Sequence, residues 1–362
     1  MVDIKCDNPK NIYQLSKLCT ELPIFDRIHE ECYIGLNDPI MLGRQIFGSI
    51  LCFVVFASIV GNVVTLLAIP LASYKKNHDL DRNFRRTTIF ILNLCVIDLF
   101  FLLFMCLPSI YTMFKPQWVF GPGMCKLYAL IWQNCYAIES SAIALISAGR
   151  WIDSVKPRAW RILTHNNLYI SLMISIPWLI TIPTIIPALI ESSEIDTGWN
   201  CSTGGCTEMI KCTVIDGCPS KSLQWDFILV FNCFITFTSI IITVISYVMI
   251  KRKVRRSSVR IITLTQYNEL QLQKRERKMT KTVLFLVLCH LICNIPCLLI
   301  DTVDGFTEEK FLKRNLVQNL LHGIIYMLFY SQYVINIFIY GISNNQFQKA
   351  YEDFLKCSYF KK

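Results

Sequence analysis

The stretch IFGSILCFVVFASIVGNVVTLLAIPL, residues 46–71, runs without a single charged side chain. A helix rises 1.5 Å per residue, so about 20 residues cover the roughly 30 Å of a bilayer's hydrocarbon. Six more apolar stretches follow it, at 87–114, 123–148, 167–190, 224–250, 279–303 and 318–342. Within lipid a backbone must satisfy its own hydrogen bonds, which makes the helix the default for spans of this length. The pattern predicts an all-α membrane protein, a seven-transmembrane helix bundle. Composition agrees: 53% of residues are hydrophobic and 17% charged, too apolar for an ordinary soluble domain. A water-facing bundle helix would carry a polar stripe, and these faces are nearly continuous.

The net charge of +10 does not point to nucleic acid, because its basic residues gather on alternate connections. Lys75, Lys76, Arg82, Arg85 and Arg86 lie between spans one and two, and Lys156, Arg158 and Arg161 between three and four. Between five and six come Lys251, Arg252, Lys253, Arg255, Arg256, Arg260, Lys274, Arg275, Arg277 and Lys278. The opposite connections are poorer in base. The positive-inside rule then puts the amino terminus outside and the carboxyl terminus in the cytoplasm of a multi-pass plasma-membrane protein. Residues 1–44 read as an extracellular tail, 45–343 as the membrane domain and 344–362 as a cytoplasmic end. No early apolar run marks a cleaved leader in 1–44, so the first span is expected to serve as its own insertion signal.

Cys6, Cys19, Cys32, Cys125, Cys201, Cys206, Cys212 and Cys218 all fall outside or at the outer edge, where disulfides form; their pairing is not readable from spacing. Asn200-Cys201-Ser202 is a glycosylation acceptor on the same side. The four cysteines of 191–222 predict a small stapled cap. Past span seven, Phe347, Tyr351 and Phe354 recur at helical spacing beside Lys349 and Lys356. That predicts a short amphipathic eighth helix along the inner membrane surface, with Cys357 placed for a lipid anchor or left unmodified.

Several residues recur in a telling order: Gly61-Asn62, Leu94 with Asp98, Cys125, Arg150, Trp178 and Pro187, Tyr247, Cys293-Asn294-Ile295-Pro296, and Asn336-Ile337-Phe338-Ile339-Tyr340. Over about residues 46–356 this series resembles the rhodopsin-like (class A) family of G-protein-coupled receptors. The resemblance implies a disulfide from Cys125 to one of Cys201, Cys206, Cys212 and Cys218. It also implies a heterotrimeric G protein as partner, with arrestin and receptor kinases beside it, membrane lipids around it and an extracellular ligand. Neither a nucleic-acid partner nor an enzymatic role is implied, and no cofactor beyond an allosteric sodium ion. Arg150 matches the central arginine of the family's acidic-Arg-Tyr triplet. With Tyr247, Asn336 and Tyr340 it would form the switch for G-protein coupling, paired at rest with Glu276 at the foot of span six.

Asp98 is an ionisable group at mid-span, where burial of an isolated carboxylate is expensive. Asn62, Asn336 and Tyr340 are candidate polar neighbours, and the resemblance implies a sodium pocket there. Glu139, three turns outward from Arg150, adds a second carboxylate where the family usually has a small hydroxyl residue. Either the two share a cation, or one holds a proton, or Glu139 simply bonds to a neighbouring span.

Departures from the family pattern are as informative. Gly149 and Trp151 replace the acidic residue and the tyrosine that flank the arginine, so Arg150 lacks its usual restraint and raised basal activity is expected unless Glu276 supplies it. Asn294 replaces an indole and Ile337 a proline, and Ser239 stands where span five often has proline. Trp132 occupies the position that is aspartate in amine receptors, which argues against a simple monoamine. Gln133, Tyr136, Asn294, Tyr326 and Tyr330 are expected to face it in an uncharged, aromatic ligand pocket, open to a peptide, a lipid or a neutral aromatic molecule. Trp118-Val119-Phe120-Gly121 and the non-acidic residue before Arg150 are similar to the melatonin-like and invertebrate moody-like branch. A transporter should show broken helices in pairs or a polar file, which the single level of Asp98 and Glu139 does not supply. A non-signalling adhesive protein stays open, since degraded switch motifs can mark lost signalling.

Overall fold

Prolines and polar residues decide where the apolar runs bend and stop. The computed structural model describes residues 38–75, 82–115, 119–190, 197–200, 205–208, 214–215, 218–219, 223–261, 267–306, 316–343 and 345–356. Helix α1 is Asp38–Lys75 and α2 is Arg82–Phe101. A π-helical turn at Leu102–Cys106 then leads into α3, Leu107–Phe114. Pro108 lies just past that turn; its ring would press on the Phe104 carbonyl in a regular helix, and the wider turn relieves it, with the Leu107 N–H reaching back to the Leu102 carbonyl. Span two thus carries a distortion that apolar periodicity does not reveal.

Helix α4 is Gly121–Val155, followed by the short α5, Pro157–Leu163. The apolar run 167–190 is two helices, α6 (Asn167–Leu179) and α7 (Ile182–Ile190). Pro183 has no N–H to offer Leu179, and the break leaves the Thr181 hydroxyl bonded to the Trp178 carbonyl at 2.8 Å. The loop beyond holds two short antiparallel ladders: β1 (Thr197–Asn200) with β2 (Gly205–Glu208), and β3 (Val214–Ile215) with β4 (Cys218–Pro219). The first ladder lies against α4. Helices α8 (Leu223–Ile261), α9 (Tyr267–Phe306), α10 (Leu316–Ser343) and α11 (Asn345–Leu355) complete the described chain.

Five helical stretches among the described residues are long and apolar enough to cross a membrane: Gln45–Ala72, Thr88–Phe114, Val230–Lys253, Lys281–Ile300 and Gly323–Ile342. Helix α4 is long but mixed, with Asn134, Glu139, Ser140 and Ser141 all buried along it. It sits at the centre, touching α2, α6, α8 and α9, so its polar groups face helices rather than surroundings. The outer surface inverts the pattern of a water-soluble protein: Phe53 is 75% exposed, Phe237 65% and Ile342 81%, while Asn62, Asp98, Asn294 and Gln332 are buried. An apolar outside around a polar inside is what hydrocarbon solvent selects.

Close helix contact needs a small residue where α1 meets α10. A Cβ on Gly61 would run into Ile337, so glycine lets the two backbones approach. Hydrogen bonds tie the other seams. Ser109 and Tyr128 share a bond of 2.7 Å between α3 and α4, Thr184 donates to Asn134 Oδ1 at 2.7 Å between α7 and α4, and Asn93 Nδ2 reaches the Ile174 carbonyl at 3.4 Å between α2 and α6.

Candidate functional site

Three levels of α4 carry the predicted site residues. By helical rise, Trp132 to Glu139 is about 10 Å and Glu139 to Arg150 about 16 Å. The level nearest the start of α4 is aromatic. Trp132 has ring centroids 5.5 Å from Tyr326, 5.6 Å from Phe329 and 6.4 Å from Tyr330, and Tyr136 lies 5.5 Å from Phe329. Tyr128 stacks on Trp132 at 6.4 Å. Four of the expected pocket residues, Trp132, Tyr136, Tyr326 and Tyr330, are therefore brought together, with Phe329 and Tyr128 added. They pack on one another more than they line an open space: Trp132 is 9% exposed and Tyr330 2%. The side chain of Gln133 lies outside the described residues.

Asn294 belongs one level deeper. Glu139 accepts from Gln332 Nε2 on one oxygen and from the Tyr333 hydroxyl on the other, each at 2.7 Å. Asn294 Nδ2 donates to Gln332 Oε1, and also lies 3.0 Å from both His290 Nδ1 and the His290 carbonyl. A continuous buried chain thus runs Glu139–Gln332–Asn294–His290, crossing α4, α10 and α9. Buried polar groups left unmade cost about 1–3 kcal/mol each, so this chain fixes how the three helices register. His290 is held by it, and among the described residues no group of three His, Cys, Asp or Glu side chains is placed to hold a metal ion.

Asp98 takes a separate partner. Asn336 Nδ2 approaches its Oδ2 at 3.4 Å, a long bond. Of the other two expected neighbours, Asn62 turns its amide nitrogen to the Ser58 carbonyl at 3.0 Å, and the Tyr340 hydroxyl has no hydrogen-bond partner among the described residues. Tyr340 instead stacks on Phe347 of α11 at 5.6 Å. Asn62 Oδ1 is likewise left buried and unbonded. An under-satisfied carboxylate and an orphaned carbonyl oxygen are hard oxygen donors of the kind a sodium ion uses. Asp98 and Asn62 offer oxygens of the kind such an ion would use, while Glu139 already has a donor on each oxygen.

Toward the end of α4, Arg150 Nη1 meets Asp153 Oδ2 at 3.1 Å, with the two side chains 10% and 8% exposed. The position before Arg150 is Gly149, as the sequence shows, and the acidic group that the structure places against the arginine is Asp153, at i+3. Reading only the adjacent position missed it; the signal is the i,i+3 spacing on one helix face. The same spacing logic does not reveal Gln332 or Tyr333, whose bonds to Glu139 span helices. Helix α9 runs through Glu276, whose side chain lies outside the described residues, as do those of Cys125, Cys206, Cys218, Asn200 and Asp226. Cys201, Cys212 and the whole tail with Cys6, Cys19 and Cys32 also lie outside them. Tyr247 is half-buried on α8. Cys52, Cys95, Cys106, Cys135, Cys233, Cys289, Cys293 and Cys297 form no disulfide among the described residues.

A polar core threaded through apolar helices, with an arginine at one end and aromatics at the other, is the arrangement of a helical membrane bundle. The profile of the 7 transmembrane receptor (rhodopsin family) matches residues 61–340. The chain belongs to that family, which is one of signalling receptors. It is 23% identical to Protein trapped in endoderm-1 of Drosophila melanogaster over 83% of this chain and 74% of that one. It is 24% identical to the Histamine H2 receptor of Rattus norvegicus, over 86% of this chain and 79% of the other. With Neuropeptide Y receptor type 6 of Mus musculus it shares 24% identity over 73% of this chain and 69% of the relative.

Proposed function

We propose that this chain is a cell-surface receptor that relays an extracellular ligand to a heterotrimeric G protein, with its amino terminus outside and seven spans formed by α1, α2–α3, α4, α6–α7, α8, α9 and α10. The Glu139–Gln332–Asn294–His290 chain carries the reading. It joins α4, α9 and α10 directly beneath the aromatic cluster, so a ligand that shifts Trp132 or Tyr330 moves groups that set the helix register. A rearrangement of α9 about Pro296 would then expose Arg150 to the transducer. Arrestin and receptor kinases would follow the same inner face.

The aromatic, uncharged level around Trp132 favours a neutral aromatic or lipid ligand, or an aromatic side chain of a peptide, over a small cationic amine. Asp98 with Asn62 is the proposed sodium site, and α11 is the helix that lies along the inner membrane surface. Coexpression with a panel of G proteins, screened against peptide, lipid and indole libraries, tests the reading, with Arg150→Ala as control. Ligand-dependent nucleotide exchange that Arg150→Ala abolishes is the expected result. Silence from every G protein would favour the adhesive alternative.

A further inference from the structure

An arginine sequestered inside a helix bundle cannot stand uncompensated, because an unpaired buried charge costs several kcal/mol. Arg150 finds its counter-charge one turn further along its own helix, in Asp153, at 3.1 Å and largely shielded from solvent. The adjacent position has no room for such a group. A Cβ on Gly149 would stand 2.9 Å from the Trp160 ring, which α5 lays across that face of α4. Trp160 is itself 2% exposed and its ring lies 6.1 Å from that of Phe90 on α2, so the indole is pinned from behind. Gly149 and Asp153 are four residues apart and share a helix face, so the indole occupies the position where a carboxylate next to Arg150 would otherwise stand.

We propose that Asp153 is a positioning residue that holds Arg150 against α4 in the resting receptor, with Trp160 closing the Gly149 position to any rival carboxylate. The inference rests on the receptor function proposed above and names the group that restrains its inner switch. Opening the inner face requires Arg150 to leave Asp153 and turn toward the transducer. The pair is short-range and local to one helix, so it biases the two states without linking α4 to α9. A Glu276 contact, by contrast, would tie those two helices together.

The full-length receptor in lipid nanodiscs provides the test, with spin labels at the inner ends of α4 and α9 and no ligand added. Asp153→Asn keeps the shape and removes the charge. It is expected to shift the label distance toward the open population and raise ligand-free nucleotide exchange by roughly threefold or more, the modest bias one ion pair exerts on a two-state equilibrium. Asp153→Glu should return both readouts toward wild type, and Glu276→Gln should leave the Asp153→Asn shift in place. Unchanged distances and exchange in Asp153→Asn, while Arg150→Ala abolishes stimulated exchange, would overturn the proposal and leave the receptor reading intact. A distance shift in Asp153→Asn with every G protein silent would do the reverse. Should Asp153→Asn not fold, the charge-reversed double variant Arg150→Asp/Asp153→Arg decides: recovery of the wild-type label distance supports the pair, and its absence overturns it.

Discussion

Gln332 stands 193 positions beyond Glu139, yet its amide donates to the Glu139 carboxylate at 2.7 Å while its own carbonyl accepts from Asn294. One side chain therefore serves as the junction of three helices. Replacing it with Leu keeps the volume and leaves both Glu139 and Asn294 short of a partner. The loss is expected to be about 1–3 kcal/mol of stability, seen as a lower thermal midpoint in detergent or nanodiscs. A midpoint equal to wild type would show that the junction contributes nothing to the fold.

The two carboxylates should respond differently to sodium. Asp98 has a long hydrogen bond to Asn336, and Asn62 on the adjoining helix keeps a buried oxygen with no partner among the described residues, whereas Glu139 is capped on both oxygens. The thermal midpoint is expected to rise when choline chloride is exchanged for sodium chloride at constant ionic strength. Asp98→Asn should flatten that response and Glu139→Gln should retain most of it. Loss of the response in Glu139→Gln alone would reverse the assignment.

Gly61 and Ile337 meet where α1 crosses α10. Gly61→Val should lower surface expression and cost about 1–3 kcal/mol through overpacking. Adding Ile337→Ala to that variant should recover part of the loss. Independent, additive losses in the double variant would indicate that the two residues do not compete for space.

Helix α11 is docked rather than free. The Tyr351 hydroxyl lies 2.9 Å from Thr65 Oγ1 of α1, and Phe347 stacks on Tyr340. Burial pushes the Tyr351 phenol above its usual range, with the Thr65 bond acting in the opposite direction. Tyr351→Phe removes the bond at an expected cost of about 0.5–1.5 kcal/mol and should speed amide exchange in residues 345–356 while leaving α10 protected. Exchange rates that match wild type would mean the rings alone hold the helix.

The amino-acid sequence by itself determined that this chain lives in lipid, how its apolar runs divide it and which family it joins. Those features are local or additive: hydrocarbon rewards any sufficiently long uncharged run, and residues such as Asp98, Arg150 and Pro296 keep recognisable spacings within their own helices. Tertiary structure alone decided who partners whom. Gln332, Tyr333 and Trp160 carry no motif, and they matter because helix packing brings them to Glu139 and Gly149. The π turn before Pro108 and the break at Thr181 were likewise invisible to hydropathy, which reads side-chain polarity and not backbone hydrogen bonding. Even Asp153, only one turn from Arg150, becomes a partner because burial removes water as the competing solvent for both charges.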